Sequence, residues 1–293
     1  LNYIITSNLI LIAMKKFTLL LAVSFLAMWS NAQVIVDETF NYAVENLAAP
    51  APDWTTAGTL TTGTGRNVVS PALTYSNAGG TYILSGEGKA IHTDINSAAG
   101  YLTTKPLPST LNSGVVYLTY LFKAGSTQTQ TAIEIFGLGT GTSAGPRVYV
   151  GKGPEGTDGV YKFGITRSST TSADIQWNSQ EFTDVDEVIL LVIKYEFSGA
   201  TSSASFYINP VLAGSEPAEP AAFDNSKGTA RTSLNNLWFR ANGTSRFNYF
   251  VSGARLSSTW AEAVAVKSTA PAISAPVVGQ ASDVGAETFV ANW

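Results

Sequence analysis

The sequence predicts an all-β chain of two antiparallel sheets packed face to face, and three observations carry that prediction. The stretch at 188–210, VILLVIKYEFSGATSSASFYINP, reads as two strands and one hairpin. The chain is 45% hydrophobic and only 13% charged, with 26 glycines, a balance that suits short strands joined by polar turns. A strand-turn-strand pattern then recurs on either side of the hairpin. Residues 188–193 are a continuous apolar run, too short for a buried helix and rich in Val and Ile, after which Lys194, Tyr195, Glu196 and Phe197 alternate. One face therefore carries Ile189, Leu191, Ile193, Tyr195 and Phe197. A Ser-Gly-Ala-Thr-Ser-Ser loop turns the chain. Beyond it Ala204, Phe206 and Ile208 alternate with Ser205, Tyr207 and Asn209, until Pro210 removes a ladder donor. Two apolar faces side by side need a second sheet above them.

Taken in order, the amino end is an address. Lys15 and Lys16 form a basic region, residues 17–28 are apolar, and Ser30-Asn31-Ala32 supplies small residues before Gln33, so residues 1–32 read as a secretory signal peptide. The segment ahead of Met14 reads as a start-site overcall, the alternative being a retained membrane anchor. The apolar run falls short of the ~20 residues of a span, so no stable span is expected after cleavage. The β-sandwich is assigned to 33–267. Residues 34–40 open it, and 42–81 form a long, weakly patterned region of Pro, Gly, Thr and Ser containing Trp54. Short strands are expected at 82–84 and 90–95, and a clearer one at 115–123, where Val116, Leu118, Tyr120 and Phe122 line one face. Others follow at 133–138, 148–150 and 161–165. After the hairpin, 211–232 is an excursion rich in Pro, Ala, Ser and Glu. Strands return at 237–240, 247–251 and 254–256, and 260–265 reads as one helical turn. A linker, 268–276, leads to 277–293, where Phe289, Ala291 and Trp293 alternate. That ending resembles a truncated start of a fibronectin type III module, which implies a larger, modular protein.

Composition excludes several chemistries. Cysteine is absent, so no disulfide framework, thiolate metal site or Cys nucleophile exists. His92 is the single histidine. Residues 1–32 hold Lys15 and Lys16 and no Asp or Glu, so their removal takes the formal charge from −4 to −6. That sign argues against a nucleic-acid partner.

Three catalytic patterns occur in the spelling, and context weighs against each. Gly151-Lys152-Gly153-Pro154-Glu155-Gly156 matches the dinucleotide fingerprint but leads into another strand, with no helix amino terminus to meet a pyrophosphate. Gly141-Thr142-Ser143-Ala144-Gly145 spells a nucleophile elbow, yet His92 precedes it, where a partner histidine should follow. Glycosidase chemistry needs two carboxylates about 5–5.5 Å or 6.5–9.5 Å apart. Its candidates are Glu181, Asp184, Asp186 and Glu187 just before the central strand, while Glu134 stands alone. No catalytic residue is assigned. No cofactor is expected; a structural calcium is left open, with oxygens that Asp94, Asp158, Asp184 or Asp186 could supply, and no ligand set is named. For sugar binding, the aromatic with polar neighbours is Trp177 in ADIQWNSQ; Trp54, Trp238 and Trp260 are read as packing residues and His92 as a half-buried strand residue.

Several pieces in one order, DETFNYAVE, RVYVGKG, GVYKFGITRSS, LLVIKYEF, FYINPVLAGSEPAEP and ARLSSTWAEAV, resemble the concanavalin A-like lectin/glucanase (LamG-like) jelly-roll domains of secreted Bacteroidetes-type proteins. The resemblance implies a two-sheet antiparallel jelly-roll sandwich. In the family an Asp-x-Ile-Arg strand precedes the Thr-Trp; Arg255 and Trp260 fit, but Ser252 stands where the Asp would be. The family's retaining glucanases place their acids on one strand as Glu-x-Asp-x-(x)-Glu, a pattern that Asp184-Val185-Asp186-Glu187 does not complete. The expectation is a secreted or cell-surface, noncatalytic module that binds a polysaccharide or surface glycan or serves as an adhesion or spacer domain. The alternative is a glycoside hydrolase or polysaccharide lyase with an unrecognised carboxylate pair.

Overall fold

The computed structural model describes residues 33–44, 53–57, 65–94, 101–126, 131–141, 143–153, 156–241 and 248–268. The expected signal peptide, the 277–293 module start and all of the linker but Ser268 lie outside the described residues. The chain is an all-β, two-sheet antiparallel sandwich. One sheet runs, edge to edge, β15 (Ala222–Asp224), β14 (Ser203–Ile208), β13 (Val188–Glu196), β8 (Val115–Ala124), β17 (Tyr249–Ser257), β6 (Ala90–Asp94) and β3 (Gly65–Val69). β1 (Val34–Glu38) joins it along the second half of β17, so the first and last strands of the domain are partners. The other sheet runs β12 (Gln176–Trp177), β11 (Lys162–Thr166), β10 (Ser143–Gly151), β9 (Ile133–Thr140), β16 (Leu234–Ala241), β7 (Tyr101–Leu111) and β2 (Thr55–Ala57). A two-residue ribbon, β4 (Ser76–Asn77) with β5 (Gly80–Thr81), lies apart from both.

The central hairpin forms as its alternation requires. Ile189, Leu191, Ile193 and Tyr195 of β13 meet Ala204 and Phe206 of β14 in the core between the sheets, where Phe136, Phe163 and Phe239 come down from the opposite side. The second face of β13 is buried too. Leu190 and Val192 pack with Tyr117, Leu121 and Tyr207 under Leu212, Trp260 and Val264. This second layer explains why 188–193 is apolar without a break: the strand is covered on both sides. The cover comes from the 211–221 excursion and from helix α1 (Trp260–Ala263), where the Thr259 side chain accepts from the Glu262 N–H. No described helix is long and apolar enough to cross a membrane.

Three expectations need correcting. The two strands expected at 247–251 and 254–256 are one continuous strand, β17. Residues 82–84 do not form a strand: Tyr82 makes one bridge to Val266, and the chain then turns back, with Ser85 N–H donating to the Tyr82 carbonyl at 2.9 Å. Conversely, β2, β3 and the 11-residue β7 lie where the sequence showed no strand pattern.

Glu216 pins the excursion to the outer face of the first sheet. Its carboxylate accepts from Tyr117 OH (2.8 Å), Tyr207 OH (2.5 Å) and Lys194 Nζ (2.8 Å). Burial alone would raise its pKa; the hydrogen bonds from Lys194, Tyr207 and Tyr117 outweigh that and hold it below the ordinary value of 4.5. A depressed carboxylate stabilises the fold above its unfolded pKa, and that contribution fades as pH falls through the folded one. Glu216→Gln is therefore expected to cost about 1 kcal/mol near neutrality and progressively less below pH 4.5. Urea unfolding of both proteins across that range checks it; a constant difference would show that the charge is not involved.

Candidate functional site

Strands of the second sheet send alternate side chains to the core and to the outer face. Ile133, Ile135, Val148, Val150, Phe163 and Ile165 go inward. Directly opposed residues of an antiparallel ladder share a face, so two rows can be followed across the outer side. One runs Trp177, Gly164, Tyr149, Glu134. The other runs Thr166, Arg147, Gly137, Trp238, Thr104, Thr55. These rows form the candidate site.

Trp177 sits on the two-residue edge strand β12 and is half-buried. A Cβ on Gly164 would stand only 3.0 Å from Trp177 Cε3 and 2.4 Å from Ile175 Cγ2, so the indole lies against bare backbone. Glycine is needed here for close approach and not for its dihedral freedom. The neighbours of Trp177 along the chain are polar. Gln176 Nε2 donates to the Asp174 carbonyl at 3.0 Å, the Ser169 hydroxyl donates to the Asp174 carboxylate at 2.5 Å, and Lys227 faces that carboxylate at 3.7 Å. Asn178 holds the other side of the turn by accepting from the Phe163 N–H at 3.1 Å.

At the far end of the same row Glu134 is buried and engaged. Arg147, 1% exposed, places Nε 3.3 Å from Glu134 Oε1 and donates to Tyr149 OH at 2.9 Å. Its Nη2 donates to the Ser169 carbonyl at 2.5 Å. The Tyr149 hydroxyl lies 3.2 Å from Glu134 Oε1 and 3.0 Å from the Ser169 carbonyl, and donates to one of them. The guanidinium stands 4.9 Å from the Trp238 ring centroid and 5.4 Å from that of Tyr149. Gly137 makes room for it, since a Cβ there would lie 2.5 Å from Arg147 Cβ. Burial, followed by the charge of Glu134, pushes the Tyr149 hydroxyl up to about 12 against the lowering effect of Arg147.

The other acids lie elsewhere. Asp186 pairs with Lys123 of the first sheet at 2.8 Å, Asp184 accepts from the Asp186 N–H at 2.8 Å, and Glu181 faces Lys162 at 3.9 Å. Burial and the neighbouring Asp184 raise the Glu187 pKa. Asp158 pairs with Lys152 at 2.8 Å, and the side chain of Asp94 lies outside the described residues. Among the described residues no three His, Cys, Asp or Glu side chains gather as a metal cage. Both glycine motifs connect antiparallel neighbours. Gly141, at φ 56, turns β9 into β10, and 151–156 lies between β10 and β11. Residues 142, 154 and 155 of these motifs lie outside the described residues. His92 is half-buried and stacks on Phe250 at 4.4 Å. Trp54, Trp238 and Trp260 are buried. Ser252 accepts from the Leu73 N–H at 3.1 Å, and the acid that forks onto Arg255 is Asp37 of β1, at 2.7 Å on both nitrogens.

Arg147, Tyr149 and Gly164 are the site residues that the sequence reading passed over. The hairpin around Gly141 carried the signal: its ladder sets 149 opposite 134 and 147 opposite 137.

Compared by sequence, the chain matches no family model and no curated protein. Among solved structures it is similar to the carbohydrate esterase vb_24B_21 of Shiga toxin-encoding bacteriophage phi24B. The identity there is 9% over 78% of this chain and 99% of that one, with a TM-score of 0.45. It is also similar to the CBM2 module of the evolved Dit of Lactobacillus casei BL23 phage J-1, at 11% identity, 77% and 95% coverage and TM-score 0.43. Peanut lectin matches at 11% identity, 76% and 97% coverage and TM-score 0.39. None of these likenesses bears on activity.

Proposed function

We propose that the chain is a secreted, noncatalytic carbohydrate-binding module of a larger exported protein, and that Trp177 is the ring on which a sugar stacks. The observation that carries this reading is the placement of Trp177. Its indole is seated on Gly164 at a sheet edge, keeps accessible surface, and has polar neighbours along the chain, Gln176 and Asn178. A pyranose buries its apolar face on such a ring while adjacent polar groups take its hydroxyls. The second observation is the count of acids. Glu134 is the single carboxylate in the seven strands of that sheet, and it faces Arg147. A glycosidase face needs two, at a defined separation.

The hydrolase or lyase reading draws on one observation, the raised pKa of Glu187 beside Asp184. A glycan array and polysaccharide pull-downs with the full chain, wild type beside Trp177→Ala, separate the two, with reducing-sugar release assayed on every polysaccharide retained. Binding without release, weakened about 30-fold or more in the variant, is the expected result. Sugar release abolished by Glu187→Gln would establish the hydrolase. Retention of nothing would leave an adhesion or spacer role.

A further inference from the structure

A groove of about 520 Å³ opens where the edge strand β1 passes β7 and β2, at the end of the second sheet opposite to Trp177. Its volume falls within the roughly 300–1,000 Å³ of small-molecule sites. Ile35, Pro106, Leu107 and Pro108 give it apolar walls, and Lys105 and Asp53 stand at its rim. The ladder explains why it is open. β2 pairs only residues 102–104 of β7, and among the described residues the half of β7 that carries Pro106 and Pro108 has no partner on that side.

The rim chemistry is specific. Lys105 Nζ has three donors; Glu38 takes one at 2.6 Å and Tyr42 OH another at 3.4 Å, which leaves one. Burial works against its charge, but the Glu38 hydrogen bond and charge outweigh that, so it stays an ammonium. Asp53 is 69% exposed, stands 4.0 Å from that nitrogen, and has no hydrogen bond among the described residues. Four ångströms is too far for a direct bond. A fixed donor beside an acceptor held only by a 4.0 Å ion pair, at that spacing, matches two adjacent hydroxyls of a sugar ring: one accepts from Lys105, its neighbour donates to Asp53. The apolar walls match the ring's C–H face.

We propose that this groove is a second carbohydrate site, taking a neutral pyranose whose adjacent hydroxyls bridge Lys105 and Asp53. Six strand spacings of about 4.8 Å separate the two edges of the sheet, roughly 29 Å, so this site does not depend on Trp177. A neutral ring is favoured over an acidic one because Glu38 already offsets the charge of Lys105, while Asp53 keeps a carboxylate at the exposed rim.

The test is heteronuclear NMR on the isotopically labelled full chain titrated with cellobiose, maltose, laminaribiose and mannobiose, with digalacturonic acid as the charged probe. The expected result is that a neutral disaccharide shifts the amides of residues 35–37, 53, 55, 105 and 107. Asp53→Ala, a change at an exposed side chain, should weaken that response about tenfold, and Asp53→Asn by less. The Trp177 indole response should stay as in wild type. Silence of the groove amides with every neutral probe, unchanged affinity in Asp53→Ala, or preference for digalacturonic acid would each overturn the proposal. Shifts at Trp177 alone would sink the groove and spare the Trp177 site; shifts in the groove alone would do the reverse.

Discussion

Replacing Glu38 by alanine is expected to lower the unfolding free energy by about 3–5 kcal/mol, which for a domain of this size is on the order of 10 °C in Tm. The carboxylate is 3% exposed and fully engaged. Oε1 accepts from the Phe40 N–H at 2.7 Å; Oε2 accepts from Tyr42 OH at 3.0 Å, Trp54 Nε1 at 3.3 Å and Lys105 Nζ at 2.6 Å. Phe40 sits at φ 51, in the left-handed region that a bulky side chain rarely occupies. Its ring is buried 6.0 Å from both Trp54 and Phe239. Glu38 thus holds a strained turn that seats an aromatic in the core, and balances a partly buried lysine. Alanine would remove the acceptor from four donors at once. Glu38→Gln keeps one carbonyl oxygen and should cost less. In a double-mutant cycle Lys105→Met should add less than its own cost to the Glu38 variant, because the two share one interaction. Urea unfolding of the four proteins measures this. A Glu38→Ala protein within about 1 kcal/mol of wild type would mean that water replaces the carboxylate.

This cluster also shows where sequence reading stops. The central hairpin was legible because its cause is local: alternation within ten residues decides which face of β13 meets the core. Glu38 carries no signal of its own within DETFNYAVE, because three of its four donors lie 4, 16 and 67 residues away and no spacing rule connects them. β7 was missed for a related reason. Pro106 and Pro108 argue against a strand from within, and only the sheet shows that they lie beyond the stretch of β7 that β2 pairs. The short strand expected at 82–84 failed the other way. Tyr82 and Leu84 are apolar and alternate, but they point into the second layer beneath Trp260 and need no ladder to be buried.

The candidate face divides along the same line. Trp177 could be singled out because its neighbours in sequence are polar, and the structure places it partly accessible at a sheet edge. What seats it, the missing side chain of Gly164, is a cross-strand fact. Asp53 and Lys105 are 52 residues apart in the chain and meet only because β2 and β7 are neighbours. Glu134 reads as solitary in sequence and is solitary among acids in its sheet, yet its partner was one hairpin away.

That partnership gives the second large effect. Arg147→Met is expected to cost about 3–5 kcal/mol, because it leaves the Glu134 carboxylate buried beside apolar surface. The guanidinium also packs between the rings of Tyr149 and Trp238, so methionine would recover part of the dispersion contact and none of the hydrogen bonds. Arg147→Lys should be poorly tolerated, since an ammonium cannot reach Glu134, Tyr149 OH and the Ser169 carbonyl from one position. The paired change Glu134→Gln with Arg147→Met should be less damaging than Arg147→Met alone, because it removes the stranded charge. Chemical unfolding of the three variants decides it: if the double variant is the least stable, the arginine acts through packing and not as the counter-charge of Glu134. If the double variant instead recovers stability, Glu134 is a structural charge that Arg147 balances in the native fold.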